Sequence, residues 1–283
     1  MLSYYQYQLS MPRVSILIAT YNRGHLISKA IESILEQSFK DWEIIVADGP
    51  STDNTEEVIN DWKTKIPQIK YIRSDMNTSI ARSSNNGLRQ ASGEYIAILD
   101  DDDRWRDKDK LKKQVEFLDN NPDYVAVGGG MVVINENDQE LFRYLKPETN
   151  GRIRDKFLFD NPMANSTTLF RYAAAAKVGF YDETLRQSAD RDFWLKMGLV
   201  GKLYNFPEYL TYYLMAGQNT SIVKMRDTLS FSLKIMKRYK NNYPNYWPAL
   251  LFNRVQYMYV FLPQWLKRIL HLTLAKLKRI VFK

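Results

Sequence analysis

Cysteine is absent from this chain of 283 residues, and histidine occurs only twice, at His25 and His271. Disulfide bonds, thiolate metal sites and cysteine nucleophiles are therefore excluded. A zinc site built from histidines, or a Ser-His-Asp triad, is difficult to assemble from so few histidines. We therefore expect any acid–base chemistry to use carboxylates.

Long apolar runs are also missing. Charged residues or prolines interrupt every candidate segment before it reaches the roughly 18 apolar residues that span a bilayer. The first residues, MLSYYQYQLSMPR, contain no apolar stretch typical of a secretory signal. With 45% hydrophobic and 25% charged residues, the composition is that of a folded domain. These features predict a cytoplasmic protein without a membrane span.

Acidic side chains are lacking at the end of the chain. After Asp227 there is no acidic residue, whereas residues 228–283 hold eleven of the 40 Lys and Arg residues. The preceding residues carry 29 basic and 32 acidic side chains. The sequence thus predicts a mildly acidic domain, residues 1–224, followed by a basic helical tail, residues 225–283.

The first hundred residues predict strands that alternate with helices. The run VSILIAT (Val14–Thr20) is short, apolar and rich in β-branched residues, as buried strands are. Similar runs lie at residues 43–47, 70–73 and 95–99, and predicted helices separate them, among them residues 55–65 and about 80–91. This alternation predicts an α/β fold with a parallel, doubly wound sheet, flanking helices and right-handed crossovers.

The rest of the chain gives a weaker pattern. Residues 124–219 are less regular, with a predicted hairpin near residues 136–139 and a helix that begins near Asp190. From residue 225 onward the spacing of apolar residues is helical. We interpret the middle region as the second half of the same domain.

Polar side chains follow the predicted strands at their carboxyl ends. They are Tyr21, Asp48, Asp75 and the run Asp100 to Asp103. Ligands of open α/β sheets bind at this edge, so one crevice is expected to collect these groups.

The run of four aspartates is the sharpest chemical signal. Adjacent carboxylates repel one another, and a hard cation such as Mg²⁺ or Mn²⁺ relieves this repulsion. Mg²⁺ is commonly held by one or two carboxylates together with substrate phosphates, which suits a nucleoside diphosphate. The alternative is a solvated turn that caps the following helix.

Three further residues near this edge have two interpretations each. The carboxylate of Asp48 is suited to accept hydrogen bonds from a nucleobase or ribose, or it belongs to an ordinary turn before Gly49. The ring of Tyr21 is suited to lie against a base, or it simply ends the strand. Arg82 begins a predicted helix where a cation would meet a phosphate, but a surface arginine is the ordinary alternative.

Asp190 and Asp192 begin the predicted helix in SADRDFWLKM. A carboxylate at a helix N-terminus is stabilised as the anion, so helix capping explains both residues. The functional alternative is a general base that takes a proton from an acceptor hydroxyl, a role for which no suitably placed histidine is present.

Four strings that occur in order along the chain carry a family resemblance. VSILIATYNR, DGPSTDNT, ASGEYIAILDDDDRW and ADRDFWLKMGLVGKLYNFPEYL resemble segments of the inverting family 2 glycosyltransferases, which have the GT-A nucleotide-sugar fold. The resemblance extends over about residues 12–221. It implies a Rossmann-like mixed sheet flanked by helices, to which this chain adds its basic helical extension.

The resemblance also implies an activity and a role for each matching residue. The activity is transfer of a sugar, with inversion, from a nucleotide-diphosphate donor, most commonly a UDP-sugar, to a hydroxyl. Tyr21 and Asp48 match positions that hold the base, and Arg82 matches a basic position near the nucleotide. Asp100, Asp101 and Asp102 match the DxD segment.

The residues with an implied role thus fall into three groups. The nucleotide-binding residues are Tyr21, Asp48, Arg82, Asp100 and Asp101. Asp102, together with Asp100, would ligate Mn²⁺ or Mg²⁺. Asp190 matches the catalytic base.

The chain departs from the family pattern at several places. Ala47 stands where many members have an aspartate, and Asn165-Ser166-Thr167-Thr168 replaces a segment that contains histidine. Tyr213-Leu214-Met215-Ala216 replaces a Tyr-Arg-x-His segment. The last change removes an arginine and a histidine that could contact phosphate and metal. Two alternatives follow: the activity is reduced, or Gln218 or Asn219 replaces the lost contacts.

The basic tail predicts an interaction surface. In residues 264–283 the apolar side chains share one helical face and the basic ones lie largely opposite, a pattern typical of a helix at an anionic membrane surface. The alternatives are packing on the catalytic domain or on another subunit, which would make a homo-oligomer. Nucleic-acid binding is disfavoured because it has no use for a Leu/Ile stripe.

Together these features predict a metal-dependent glycosyltransferase of cell-surface polysaccharide or glycoconjugate synthesis. Its acceptor would be a glycan or a lipid-linked glycan, and it would lie peripherally on the inner face of the cell membrane. A sugar-phosphate nucleotidylyltransferase is disfavoured because residues 20–24 contain a single glycine. A non-catalytic scaffold that binds nucleotide sugars or glycans is the alternative from another class.

Overall fold

A computed structural model describes residues 11–74, 79–216 and 225–263. Asp75, Gln218, Asn219 and the predicted helix at residues 264–283 lie outside the described residues. Within the described ranges, no helix combines the length and the apolar character needed to cross a membrane.

The strands of the described residues form one mixed sheet of nine strands, in the order β3-β2-β1-β4-β8-β6-β9-β5, with β7 paired to β6. Their bounds are β1 Val14–Thr20, β2 Trp42–Asp48, β3 Ile69–Arg73, β4 Tyr95–Ile98, β5 Arg104–Trp105, β6 Tyr124–Ile134, β7 Glu140–Tyr144, β8 Leu169–Arg171 and β9 Lys202–Leu214. The first four strands are parallel to one another. β8 runs antiparallel to both β4 and β6.

Helices cover both faces of the sheet. In chain order they are α1 Gly24–Leu35, α2 Thr55–Lys65, α3 Ile80–Leu88, α4 Lys110–Asn120, α5 Asn150–Lys156, α6 Tyr172–Lys177, α7 Ala189–Val200, α8 Met225–Arg238 and α9 Tyr246–Val260. A short 3₁₀ turn, Asn165–Thr167, precedes β8. The fold is thus the mixed α/β sheet with flanking helices that the sequence predicts.

Alternating side chains of the central strands divide the core in two. Along β1, Ile16 and Ile18 join a cluster with α1, α2 and α4, whereas Leu17 joins a cluster on the opposite face. This second cluster contains residues of α3 and of α5 to α9. Because successive side chains of a strand point to opposite faces, a continuous apolar strand supplies both cores at once.

The predicted elements of the first hundred residues are confirmed within a few residues. β1 and α2 have the predicted bounds, whereas α3 ends at Leu88 rather than near residue 91. The hairpin near residues 136–139 is the turn between β6 and β7. β6 is the main difference, because it continues through Gly128, Gly129 and Gly130 as a long buried strand.

The two C-terminal helices pack on the domain. Ile235 and Met236 of α8 and Ala249 of α9 are fully buried in the cluster that also holds Phe193 and Trp194 of α7. Asp192 of α7 is buried and accepts a hydrogen bond from the Tyr239 hydroxyl at 3.0 Å. The described part of the tail is therefore attached to the helix that carries Asp190.

Candidate active site

The carboxyl ends of β1, β2 and β4 form one edge of the sheet. Thr20, the last residue of β1, lies beside Asp48, the last residue of β2. Leu99 donates a backbone hydrogen bond to Leu17 of β1 at 3.1 Å, so Asp100 follows at the same edge. The structure therefore brings Tyr21, Asp48 and the aspartate run to one place.

Asp48 is fully buried at this edge. One carboxylate oxygen accepts a hydrogen bond from the Ser51 hydroxyl at 2.5 Å, and the other accepts one from the Tyr71 hydroxyl at 2.7 Å. These bonds fix the orientation of the carboxylate, and each oxygen keeps a lone pair for a further donor.

Tyr21 differs from its neighbours because its side chain is 55% exposed. A Cβ atom added at Gly49 would lie 3.0 Å from Cδ2 of the ring, so glycine lets the ring lie close against the backbone at this position. The ring is thus held against the loop after β2 with much of its surface facing solvent, where a flat ligand can stack on it.

Arg23 links the loop after β1 to the aspartate run. Its Nη1 atom donates to Asp101 Oδ1 at 3.0 Å and to Asp102 Oδ2 at 2.6 Å. Asp102 is 12% exposed at its side chain, and Asp101 is 6% exposed. One guanidinium therefore compensates two of the four carboxylates.

Asp100 and Asp103 are held by residues 165 and 166, which precede β8. Asn165 donates to Asp100 Oδ1 at 2.9 Å, and Ser166 donates to Asp103 Oδ2 at 2.5 Å. The backbone N–H of Leu214 also donates to Asp103, at 3.1 Å. The two segments that depart from the family pattern therefore contact the aspartate run directly.

Burial changes the acidity of this cluster. Burial, with the charge of Asp102 next in importance, raises the pKa of Asp100 to about 7. Burial also raises the pKa of Asp101 to about 6, against the opposing charge of Arg23. Burial and the charges of Asp100 and Asp102 raise the pKa of Asp103. When its four carboxylates are ionised, the cluster carries more negative charge than Arg23 neutralises.

This excess negative charge fits a divalent cation. Carboxylate oxygens are the hard donors that Mg²⁺ and Mn²⁺ take, and the buried Oδ1 atom of Asn165 has no hydrogen-bond partner in the described part of the chain. Among the described residues, no group of three or more His, Cys, Asp or Glu side chains is arranged to hold a metal ion. A cation at Asp100 and Asp102 would therefore take further ligands from water or substrate.

Asp190 lies in the first turn of α7 and is partly buried. Asn161 donates to its Oδ2 atom at 2.8 Å. Burial raises the pKa of Asp190, whereas hydrogen bonds from the Arg191 backbone and from Asn161 lower it. A carboxylate with a raised pKa is a stronger base, which is the property that proton abstraction from a hydroxyl requires.

Both Asp190 and the aspartate run influence the phenol of Tyr181. The buried phenol has its pKa raised first by burial, then by the negative charge of Asp190 and then by that of Asp100. Both carboxylates therefore lie within electrostatic range of one side chain. The two halves of the predicted site thus border the same part of the molecule.

Arg82 is not brought to the aspartate run. Its Nε atom donates to Glu183 Oε2 at 2.9 Å, and its side chain is 59% exposed. Hydrogen bonds from Asn85 and Arg82 lower the pKa of Glu183 to about 2. Arg82 is therefore the partner of a firmly ionised carboxylate in this structure.

Sequence reasoning missed four residues that shape the site: Arg23, Asn161, Tyr181 and Glu183. Arg23 follows the first strand as closely as Tyr21 does, so its position was an available signal. Asn161, Tyr181 and Glu183 reach their partners across the fold and carry no local signal of their own.

Comparison with solved structures identifies the fold. The chain superposes on the mannosyltransferase PcManGT from Pyrobaculum calidifontis, solved in complex with GDP-Man and Mn²⁺, with a TM-score of 0.64. The match covers 89% of this chain and 71% of that one, at 20% sequence identity. The fold is therefore that of the GT-A glycosyltransferases.

Sequence comparison then identifies the family. The profile of glycosyl transferase family 2 matches residues 15–182, and the chain belongs to this family. An uncharacterized glycosyltransferase of Methanocaldococcus jannaschii is 28% identical over 93% of this chain and 94% of its own length. The Escherichia coli enzyme WfgD, a UDP-Glc:alpha-D-GlcNAc-diphosphoundecaprenol beta-1,3-glucosyltransferase, is 36% identical over 44% of this chain and 47% of its own length. The protein is thus an enzyme, an inverting glycosyltransferase.

Proposed function

We propose that this enzyme transfers a sugar from a UDP-sugar to a hydroxyl of a lipid-linked glycan during synthesis of a cell-surface polysaccharide or glycoconjugate, and that it needs Mn²⁺ or Mg²⁺. The observation that carries the proposal is the cluster of carboxylates from Asp100 to Asp103 at the sheet edge, which lies with Asp190 within electrostatic range of the same side chain, Tyr181. A site for a cation and a diphosphate beside a base matches the chemistry of sugar transfer.

On the donor side, Tyr21 would stack on the base, and Asp48 would accept hydrogen bonds from the base or the ribose. The exposed ring of Tyr21 and the fixed carboxylate of Asp48 support these roles. Asp100 and Asp101 would hold the ribose or the water bound to the cation. Arg82 would contact a phosphate only after it leaves Glu183, which lies 2.9 Å from it.

Asp102 and Asp100 would hold the divalent cation. When bound, such an ion offsets the negative charge that grows on the departing nucleoside diphosphate. Arg23 lies 2.6 Å from Asp102, so it would shift its hydrogen bond toward Asp101 when a cation binds. The carboxylates themselves fix the orientation of the donor at the sheet edge.

Asp190 would act as the general base in a single displacement. It takes the proton of the acceptor hydroxyl as the oxygen of that hydroxyl bonds to the anomeric carbon. The bond from that carbon to the phosphate oxygen breaks, and its electron pair leaves with the nucleoside diphosphate. Attack from the face opposite the leaving group inverts the anomeric centre, and no covalent enzyme intermediate is needed.

We infer the acceptor and the cellular location from the tail and from one relative. WfgD acts on a diphosphoundecaprenol acceptor by its name, and we infer a lipid-linked acceptor for this enzyme. Residues 1–224 would form the catalytic domain and residues 225–283 a basic helical tail. The tail would hold the enzyme peripherally on the cytoplasmic face of the membrane, where anionic lipids attract its Lys and Arg residues.

The donor site is tested by thermal denaturation of the purified protein with UDP-, GDP- and dTDP-sugars, each with and without Mn²⁺ or Mg²⁺. A ligand of the folded state stabilises it by about 2.7 kcal/mol at a hundredfold excess over Kd. We expect a metal-dependent shift with UDP-sugars that Asp102→Ala abolishes. A shift with another nucleotide class alone would overturn the choice of UDP.

The base is tested by Asp190→Asn in a transfer assay with a lipid-linked acceptor. Loss of general-base catalysis typically costs 10² to 10⁴-fold in rate, so we expect a decrease of about this size in kcat. The thermal shift with donor should persist in this variant. An Asp190→Asn enzyme with the wild-type kcat would exclude Asp190 as the base.

A further inference from the structure

Helix α9 exposes large apolar side chains along one face. Trp247, Leu251, Val255 and Met258, here called the outer stripe, are 75%, 67%, 42% and 67% exposed. Their spacing of three or four residues places them on one side of the helix. Contiguous exposed apolar surface of this kind is typical of an interaction site.

The opposite face of α9 fixes the helix to the catalytic domain. Ala249 is fully buried and Asn253 is 2% exposed. The Asn253 amide donates to the carbonyl oxygens of Leu158 at 3.1 Å and Phe159 at 3.2 Å. Because these two residues lie about half a helical turn away from the outer stripe, the stripe faces away from the domain and is held there rigidly.

The charge around the outer stripe indicates its partner. Arg254 is exposed on the same side of α9 as Leu251. The chain has no acidic residue after Asp227, and residues 264–283, which follow the helix, contain six further Lys and Arg residues. An apolar face with Trp and Met that lies beside Arg254, in a part of the chain whose charged side chains after Asp227 are all basic, is complementary to an anionic lipid surface.

The buried face of α9 contacts the segment that holds Asp190. Asn253 binds the carbonyl groups of Leu158 and Phe159, and Asn161, two residues further along, donates to Asp190. Two residues of chain span at most about 7 Å. If α9 docks on another surface, Asp190, the proposed base for the acceptor hydroxyl, would therefore lie near that surface.

We propose that the outer stripe of α9 docks on an anionic lipid bilayer, with Trp247, Leu251 and Met258 entering the headgroup region. This surface lies within the basic helical tail, residues 225–283, and the inference rests on the membrane attachment proposed above: the stripe adds an apolar contact to the electrostatic attraction of residues 264–283. The proposal does not depend on sugar transfer, because lipid binding needs neither donor nor acceptor.

The test is co-flotation of the full-length protein with vesicles made of phosphatidylglycerol and phosphatidylcholine in equal parts. The combined variant Trp247→Ser, Leu251→Ser, Met258→Ser removes the apolar contact and leaves every cation in place. Because burial of each large apolar side chain contributes substantially to partitioning, we expect the bound fraction to fall at least about tenfold. Vesicles of phosphatidylcholine alone should bind wild-type protein weakly.

The matched control is the double variant Leu141→Ser, Phe142→Ser on β7, where the two side chains are 49% and 48% exposed. It removes exposed apolar surface far along the chain from α9 and should float like the wild type. Equal flotation of the triple-serine variant and the wild type would overturn the proposal.

Two further outcomes would also overturn it, and both are read from the same proteins without vesicles. If the wild type is a dimer by light scattering and the triple-serine variant a monomer that still floats, the stripe is a contact between copies. If the variant unfolds at a markedly lower temperature and still floats, the stripe is covered by the chain's own last residues.

Discussion

The carboxylate of Asp190 has two opposing influences on its protonation. Burial raises its pKa, and the hydrogen bond from Asn161 at 2.8 Å lowers it because that bond stabilises the anion. A base of this kind is active only while ionised. The activity of the enzyme should therefore fall as the pH decreases through the pKa of Asp190, which lies above the value of about 3.9 for an ordinary aspartate.

Replacement of Asn161 should change the pH at which the activity falls on the acidic side of the pH profile. Asn161→Ala removes the donor, so the pKa of Asp190 rises further and the fall in kcat/KM occurs at higher pH. Asn161→Asp places a second carboxylate beside Asp190 and should shift this fall further still, because like charges disfavour ionisation. Activity well above these pKa values should be affected least. The measurement is the pH profile of kcat/KM for the wild type and the two variants.

The control for this series is Asn241→Ala, which changes an exposed asparagine. Its profile should coincide with that of the wild type. If both Asn161 variants lose activity equally at all pH values, Asn161 affects only the shape of its turn, in which it also accepts a hydrogen bond from the Met163 N–H at 3.2 Å.

At the scale of elements, the contact of α3 with the sheet depends on Gly87. A Cβ atom at this position would lie 2.5 Å from Leu17 Cδ1 on β1 and 3.1 Å from Ala47 Cβ on β2. Leu17 and Ala47 are themselves buried, so neither has open space to move into. Ala47 stands where the family often has an aspartate, and its small apolar side chain belongs to this contact.

Gly87→Ala should therefore lower the free energy of unfolding. Overpacking costs about 1–3 kcal/mol, and the higher helix propensity of alanine returns up to about 1 kcal/mol. We expect a net loss on the order of 1 kcal/mol in urea denaturation. Gly151→Ala on α5 is the control, because no atom lies within 4 Å of its added Cβ. This variant should be neutral or more stable; a gain in stability for Gly87→Ala would show that α3 can move away from the sheet.

Sequence patterns predicted elements well where the pattern is local. The bounds of β1 and α2 follow from an apolar run and from helical spacing between turn residues. β6 could not be predicted through Gly128, Gly129 and Gly130, because three glycines indicate a loop when read alone. In the fold, a Cβ at Gly129 would meet Leu210 Cδ1 at 2.6 Å, so glycine is required by the neighbouring strand.

The site likewise contains residues that local sequence patterns predict and residues that only the tertiary structure brings together. Tyr21, Asp48 and the aspartates could be predicted to meet because each follows a parallel strand, and such strands end at one edge. The hydrogen bond from Asn161 to Asp190 joins a loop to a helix 29 residues later in the chain, and nothing in either segment predicts it. The pairing of Arg82 with Glu183 likewise depends on tertiary structure alone.

For the whole molecule, the buried aspartates make stability depend on pH and on divalent cations. The pKa of Asp100 is about 7 and that of Asp101 about 6 in the folded protein, against about 3.9 in an unfolded chain. Between about pH 4 and pH 7 the folded state therefore binds more protons than the unfolded state, and stability falls as the pH rises. The buried Lys110, whose pKa burial lowers, contributes a slope of the opposite sign.

Because Lys110 opposes this slope, we compare the pH dependence of stability between the wild type and the variant Asp100→Asn, which both contain Lys110. Asp100→Asn mimics the protonated carboxyl group and its side-chain oxygen still accepts the hydrogen bond from Asn165. Relative to the wild type, this variant should gain stability as the pH rises from about 4 to about 7 in the absence of metal. Urea denaturation in the presence of a chelator at several pH values measures this difference.

The stabilisation of the folded protein by added Mn²⁺ should increase as the pH rises, which is opposite to the pH dependence of stability without metal. A cation binds the ionised carboxylates, so it should stabilise the wild type strongly at pH 8 and weakly at pH 5, where protons compete for the same oxygens. Asp100→Asn should respond less than the wild type at pH 8, because it has lost one of the two proposed ligands. Equal stabilisation of both proteins by Mn²⁺ would mean that the ion binds without Asp100, and an absence of any response would mean that Arg23 alone compensates the cluster.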